Sequence, residues 1–315
     1  MSKKIRKGTL LSLMMAALCL VAGSAAAADA KDLVLKGDAK CTACHDEADA
    51  PELLGIGRTK HGTRADGRTP TCTSCHGESK GHSESKGSQP KPDVIFGRKG
   101  PTPASAQNEA CLGCHQKDSG RHLWAGSVHD ARDVACASCH NIHSGVDKVR
   151  DKAVQPEVCY TCHAGQRVKA NKPSHHPVVE GQMTCSDCHN AHGSAGPALM
   201  KRDSIVETCY TCHMEKRGPF VRNHQPVGEN CATCHEVHGT TAENLLKFRQ
   251  PFLCQTCHTP HGPTTPAVAG GGNAQPGWWN GATITQGRGC TNCHTEIHGS
   301  NNPSLLNPTP QRLFR

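Results

Sequence analysis

Only one stretch of the chain is continuously apolar. Thr9–Gly23 carries no charge; it follows a basic Met1–Gly8 (Lys3, Lys4, Arg6, Lys7) and precedes the small residues Ser24–Ala28. That order is an export signal cleaved after Ala28. The run is short for a membrane span, and no later segment is long and apolar enough to be one. Cys19 lies inside it and is discarded with it, since Leu18 stands where a lipoprotein signal has a small residue. Beyond the signal the pattern predicts short helices and hardly any strand. Residues 77–110 are polar and rich in Gly, Ser, Lys and Pro, and residues 262–289 are rich in Gly and Pro, so both read as loops.

Composition explains why the pattern is so weak. Hydrophobic residues make 35% of the 315, aromatics only 3%, and the 21 Cys are part of the apolar share. Such a chain has little to bury and does not make a core unaided. A cofactor, a metal or disulfides must supply one.

The cysteines identify which. All 20 Cys after the signal fall in one pattern, C-x-x-C-H, written ten times. The Cys pairs are Cys41 and Cys44, Cys72 and Cys75, Cys111 and Cys114, Cys136 and Cys139, Cys159 and Cys162, Cys185 and Cys188, Cys209 and Cys212, Cys231 and Cys234, Cys254 and Cys257, and Cys290 and Cys293. The histidines that follow them are His45, His76, His115, His140, His163, His189, His213, His235, His258 and His294. Two thiols one helical turn apart face the same way and add to the two vinyl groups of one porphyrin, and the adjoining His reaches the iron as proximal ligand. Disulfides do not require a His after every second Cys, and zinc sites do not fuse one there ten times.

Six-coordinate irons need a second ligand each. Twelve His remain, against Met183, Met200 and Met214 after the signal, so two-His coordination is expected for most haems. Methionine ligation raises the potential, and its scarcity points to low-potential carriers. His143, His192, His238 and His261 lie three residues after a proximal His, and His298 lies four after. A residue that close sits on its own haem's proximal side and must reach a neighbouring haem. His129, His176 and His224 precede a C-x-x-C by 7, 9 and 7 residues, and His61 and His82 complete the ten. His122 and His175 are left over, as ordinary hydrogen-bonded histidines. The Trp278-Trp279 pair is read as cover for a haem face.

The motifs repeat in pairs. First Cys positions of alternate motifs differ by 48, 50 and 45 residues from Cys111 through Cys159 and Cys209 to Cys254. The expected fold class is a multihaem cytochrome c with little regular secondary structure, short helices and coil wrapped round an elongated, linear chain of ten haems. The charge changes too. The formal +8 includes four signal residues, leaving +4. Two propionates on each ferric haem bring the oxidised protein to about −6. Nucleic acid is therefore not an expected partner.

The chain resembles the MtrA-type periplasmic decahaem c cytochromes, with their MtoA, PioA and DmsE branches. The resemblance rests on Asp133–His140, Gln182–Ser194, Glu207–His213, Glu215–Pro219 and Ile297–Asn301, and spans almost all of the mature chain. It implies two pentahaem halves, here 29–172 and 173–315 after the signal 1–28, and the same ten distal histidines, with His176 rather than His175. It also implies an electron carrier, not an enzyme, in the periplasm at the outer membrane. There it sits in a β-barrel porin, takes or gives electrons to periplasmic or inner-membrane cytochromes, and meets an extracellular cytochrome or iron mineral outside. Inward flow from ferrous iron is slightly favoured over outward flow to metal oxides. Two alternatives are a soluble shuttle to a terminal reductase and a multihaem nitrite or hydroxylamine-type oxidoreductase. The second needs an iron with an open position, whereas every motif here is regular and distal His are in surplus.

Overall fold

Each attachment motif forms a single turn of helix. In eight of them the proximal His N–H donates to the carbonyl of the first Cys at 2.9–3.0 Å, as from His45 to Cys41 and from His235 to Cys231. The other two lie in the helix Cys72–His76 and in the last turn of the helix Ala104–His115. In three of them a polar residue just ahead of the first Cys starts the turn. Thr71 exchanges hydrogen bonds with Ser74, Thr184 N–H donates to Asp187 at 2.7 Å, and Asn230 Oδ1 accepts from Ala232 N–H at 2.9 Å.

A computed structural model describes residues 38–63, 68–85, 89–258, 289–292 and 294–301. The export signal, Cys293, His261 and the Trp278-Trp279 pair lie outside them. Among the described residues there is no strand, only four isolated bridges, and no helix is long and apolar enough to cross a membrane. The longest helix is Ala104–His115, of 12 residues. It corrects the reading of 77–110 as loop, as does the helix Lys80–Ser85. Pro103 fixes the entry, and the following Ala-Ser-Ala-Gln-Asn-Glu-Ala run is rich in good helix formers. Buried Gln107 then anchors the preceding loop, accepting from Gly97 N–H at 3.0 Å and donating to Thr102 O at 2.8 Å.

The chain divides into two compact units. One holds the described residues up to Asp93 together with Ile142–Gly145; the other holds Val94–Asn141 and Val146 onward. In the first, buried Asp38 accepts from Cys72 N–H at 2.8 Å, and its carboxylate and the thiols of Cys41 and Cys72 all lie within 4.8 Å of one another. In the second, the repeat is visible as structure. The helices Gln155–Tyr160 and Ile205–Tyr210 each carry a motif's first Cys and bury a tyrosine. After each following motif the chain makes the same unusual turn. Ala198 and Leu199 (φ 51 and 60) match Asn244 and Leu245 (φ 56 and 57), and Leu199 O and Leu245 O accept from Asn190 N–H and Glu236 N–H at 2.8 and 2.7 Å.

Little of this is a protein core. The buried apolar residues are four alanines, Val206, Tyr160, Tyr210 and Trp124, while Phe248, Phe252, Val168 and Met214 are exposed. Backbone clips substitute for packing. Ser174 and Thr240 exchange N–H to O=C bonds of 3.1 and 2.8 Å, and Lys169 Nζ meets Glu236 at 3.0 Å. Gly239, at φ +133, allows the clip to close, because an added Cβ would collide with Lys169 O. Gly239→Ala is therefore expected to destabilise the fold by on the order of 1–3 kcal/mol, the cost of a non-glycine residue in a glycine-only conformation. A lowered thermal midpoint with the haem complement intact checks it.

Candidate functional site: paired histidines at the attachment turns

The proximal histidines do not stand alone. His45 faces His82 at a ring-centroid distance of 6.0 Å, and His76 faces His143 at 6.2 Å. His140 faces His192 at 6.0 Å, His189 faces His238 at 6.1 Å and His235 faces His298 at 6.1 Å. His129 faces His163 at 6.2 Å, His176 faces His213 at 6.3 Å and His224 faces His258 at 6.0 Å. The remaining expected ligands are His61, His115, His261 and His294.

Ordinary aromatic contacts scatter over about 4.5–7 Å. Eight pairs are confined to 6.0–6.3 Å while their interplanar angles run from 10° to 72°, the pattern that a spacer setting distance and leaving ring rotation free would give. Two metal–imidazole bonds of about 2 Å hold the ligating nitrogens about 4 Å apart, and half a ring on each side brings the centroids to about 6 Å. The spacing fits one iron between each pair.

Tautomers fit as well. Nδ1 of His82, His129, His143 and His176 meets the carbonyls of Pro90, Ala191, Leu53 and Val237 at 2.7–2.9 Å. Nδ1 of His189 and His235 meets the carbonyls of Ala198 and Asn244, in the two unusual turns, at 2.9 and 3.0 Å. A carbonyl only accepts, so each Nδ1 carries the proton and each Nε2 keeps its lone pair for a metal. Burial lowers the pKa of His192, His235, His238 and His298, which also favours the neutral ligating form.

The pairing follows a rule that spacing alone did not reveal. A distal His just after one proximal His reaches the proximal His two motifs earlier, as His238 after His235 reaches His189. His129, His176 and His224, each between two motifs, reach the motif beyond them, as His176 does with His213, whereas His82, between the second and third motifs, reaches back to His45 in the first. The two classes interlock, since the carbonyls that receive His129 and His176 belong to Ala191 and Val237, next to His192 and His238.

The leftover histidines are otherwise engaged. His175 directs Nδ1 to Lys172 O and Nε2 to Glu180 at 2.9 Å, and the Glu180 carboxylate raises its pKa. His122 Nδ1 meets Ser119 O at 2.5 Å. Three contributors had no signal in the motif pattern. Trp124, buried, lies 6.3 Å from the His192 ring. Asp118 and Asp147 accept from Nδ1 of His115 and His140 at 2.9 and 2.7 Å.

The thiols come together in sequence order within the second unit. First Cys meets first Cys in the pairs Cys111 and Cys136, Cys159 and Cys185, Cys209 and Cys231, and Cys254 and Cys290. Second Cys interacts with second Cys in the alternate steps, Cys139 with Cys162, Cys188 with Cys212 and Cys234 with Cys257. Successive attachment turns are therefore neighbours.

Attachment turns carrying two thiols and a metal-ready imidazole, repeated along the chain, define a multihaem c-type cytochrome. A family model for cytochrome c-type NrfB-like proteins matches residues 72–156, and one for a doubled CXXCH motif matches 175–218 and 224–263. The multihaem cytochrome MtrA of Shewanella baltica is 42% identical over 273 residues, covering 85% of this chain and 80% of that one. The NrfB proteins of Haemophilus influenzae and Escherichia coli are 35% and 32% identical over 40% and 46% of this chain and 65% and 76% of theirs. The chain belongs to the MtrA family of multihaem cytochromes. It binds c-type haems covalently, and it is an electron carrier rather than an enzyme.

His176→Ala is expected to open one coordination position and give a high-spin fraction in the absorption spectrum. His175→Ala, which removes only a bond to Glu180 and one to Lys172 O, leaves the spectrum unchanged. High-spin signal from the second variant and not the first would reverse the assignment.

Proposed function

We propose that the protein is a decahaem wire that carries electrons between the periplasm and the cell exterior through an outer-membrane porin. The observation that carries this reading is the set of eight histidine pairs at 6.0–6.3 Å, drawn from different motifs. Each iron would be held by two histidines, the ten proximal ones with His61, His82, His129, His143, His176, His192, His224, His238, His261 and His298. When bound, the haems supply the one-electron chemistry; the chain's part is to hold them close, six-coordinate and shut to substrate. Distal ligands borrowed from two motifs away tie the haems to one another, and alternating thiol contacts keep neighbours in order. Both features support an elongated array over a compact one, with five haems in each of the halves 29–172 and 173–315.

The export signal read in the sequence and the family support a location. The protein would work in the periplasm at the outer membrane, receive electrons from or pass them to periplasmic or inner-membrane cytochromes, and meet an extracellular cytochrome or iron mineral on the far side. Flow inward from ferrous iron is slightly favoured over outward flow to metal oxides, on overall likeness to the MtoA branch.

Two measurements test the proposal. The intact mass of the mature holoprotein exceeds that of residues 29–315 by ten haems, and a shortfall removes whichever motif proves empty. Liposomes enclosing an electron acceptor exchange electrons with an external donor only when the protein and its porin are both present. Equal rates with the porin alone leave a soluble shuttle in its place.

A further inference from the structure

The repeat provides its own controls for what sets the potential of a haem. His140, His189 and His235 are equivalent: each ends an even-numbered motif and faces a distal His that lies three or four residues after the proximal His two motifs on. The ring planes in all three pairs are nearly parallel, at 11°, 10° and 13°. The partners of Nδ1 are not equivalent. His189 and His235 donate to backbone carbonyls, Ala198 O at 2.9 Å and Asn244 O at 3.0 Å. His140 donates to the Asp147 carboxylate at 2.7 Å.

The Asp147 carboxylate is well held and uncompensated. Its other oxygen accepts from Asn141 N–H at 3.4 Å, and its side chain is only 20% exposed. Among the described residues no Lys or Arg forms an ion pair with it, and Lys148 and Arg150 beside it are exposed. The contrast is His115, where Asp118 also accepts from Nδ1 but is itself paired with Arg121. A carboxylate on the far nitrogen of a ligating imidazole makes the near nitrogen a stronger donor and places a negative charge close to the metal. Both effects favour ferric over ferrous iron and lower the reduction potential.

We propose that Asp147 is a potential-setting residue, which holds the haem attached at Cys136 and Cys139 below its repeat equivalents at His189 and His235. The inference rests on the two-histidine reading of that site. It places a low-potential step at the fourth motif. An electron moving either way must climb to reach this haem, so reducing equivalents collect on the haems beside it.

The test is Asp147→Asn in the full-length holoprotein, compared with the parent by spectroelectrochemical titration. Asparagine keeps an oxygen for the Nδ1–H and removes only the charge. The expected result is that one of the haem midpoints shifts to higher potential while the others stay, with the low-spin spectrum and the haem mass unchanged. Asp147→Ala, which loses the acceptor as well, shifts the same midpoint in the same direction. Unchanged midpoints in both variants, or a shift to lower potential, overturn the proposal while leaving ten low-spin haems in place. A parent protein lacking a haem at Cys136 and Cys139, or high-spin there, overturns both this inference and the reading beneath it.

Discussion

A fixed distance of 6.0–6.3 Å between imidazole rings, made by residues from different motifs, is the constraint on which the described structure depends. It is a long-range tie in a chain with few others. Its partners are 34 to 67 residues apart in sequence, from His129 with His163 to His76 with His143. An apolar core makes ties of that range by packing many side chains against each other. Here only eight apolar residues are buried among the described residues, half of them alanine, and the long-range ties run through the histidine pairs. An iron held between them, as proposed, would supply direction and strength that dispersion between small side chains does not.

Everything else adapts to keep those rings in place. Helices are short because each has only to present two thiols and a histidine on one side of a single turn. Left-handed residues such as Ala198 and Asn244 occur where the backbone must bring a carbonyl onto Nδ1 of a proximal His. Such conformations cost energy and persist only when the surroundings over-determine them. The same turn occurs after two successive even-numbered motifs, with the same hydrogen bonds, so it is a built feature and not an accident of one loop.

Much of this was legible in the sequence. Ten identical motifs using every cysteine after the signal pointed to covalently bound c-type haem, and counting His against Met drew attention to the histidines outside the motifs. Position set His176 apart from His175, and in the structure His175 is engaged with Glu180 and Lys172 while His176 faces His213. The connectivity was not legible, because the step of two motifs depends on how the turns stack and not on how far apart they lie in the chain. Nor was the helix start at Ala104, since composition averaged over 77–110 hid a locally helical run behind Pro103. Asp118, Asp147 and Trp124 escaped for a simpler reason: a lone acid or aromatic carries no periodic signature, and only its neighbours reveal its role.

The difference between what repeats and what does not is itself informative. A wire of chemically identical sites needs every iron held alike, and the turns, spacing and ring pairing are held alike. Energy differences along it must then come from groups outside the ligand set, because changing a ligand would change the class of site. The described structure has that division. The ring distance varies by 0.3 Å across eight pairs, while the groups on Nδ1 range from the carbonyl of Ala198 to the paired carboxylate of Asp118 and the unpaired one of Asp147. Substitutions at such outer positions cost little in folding, since they leave the ligand ties intact. If the chain conducts as proposed, its potential profile can be altered one haem at a time while the histidine connectivity stays unchanged.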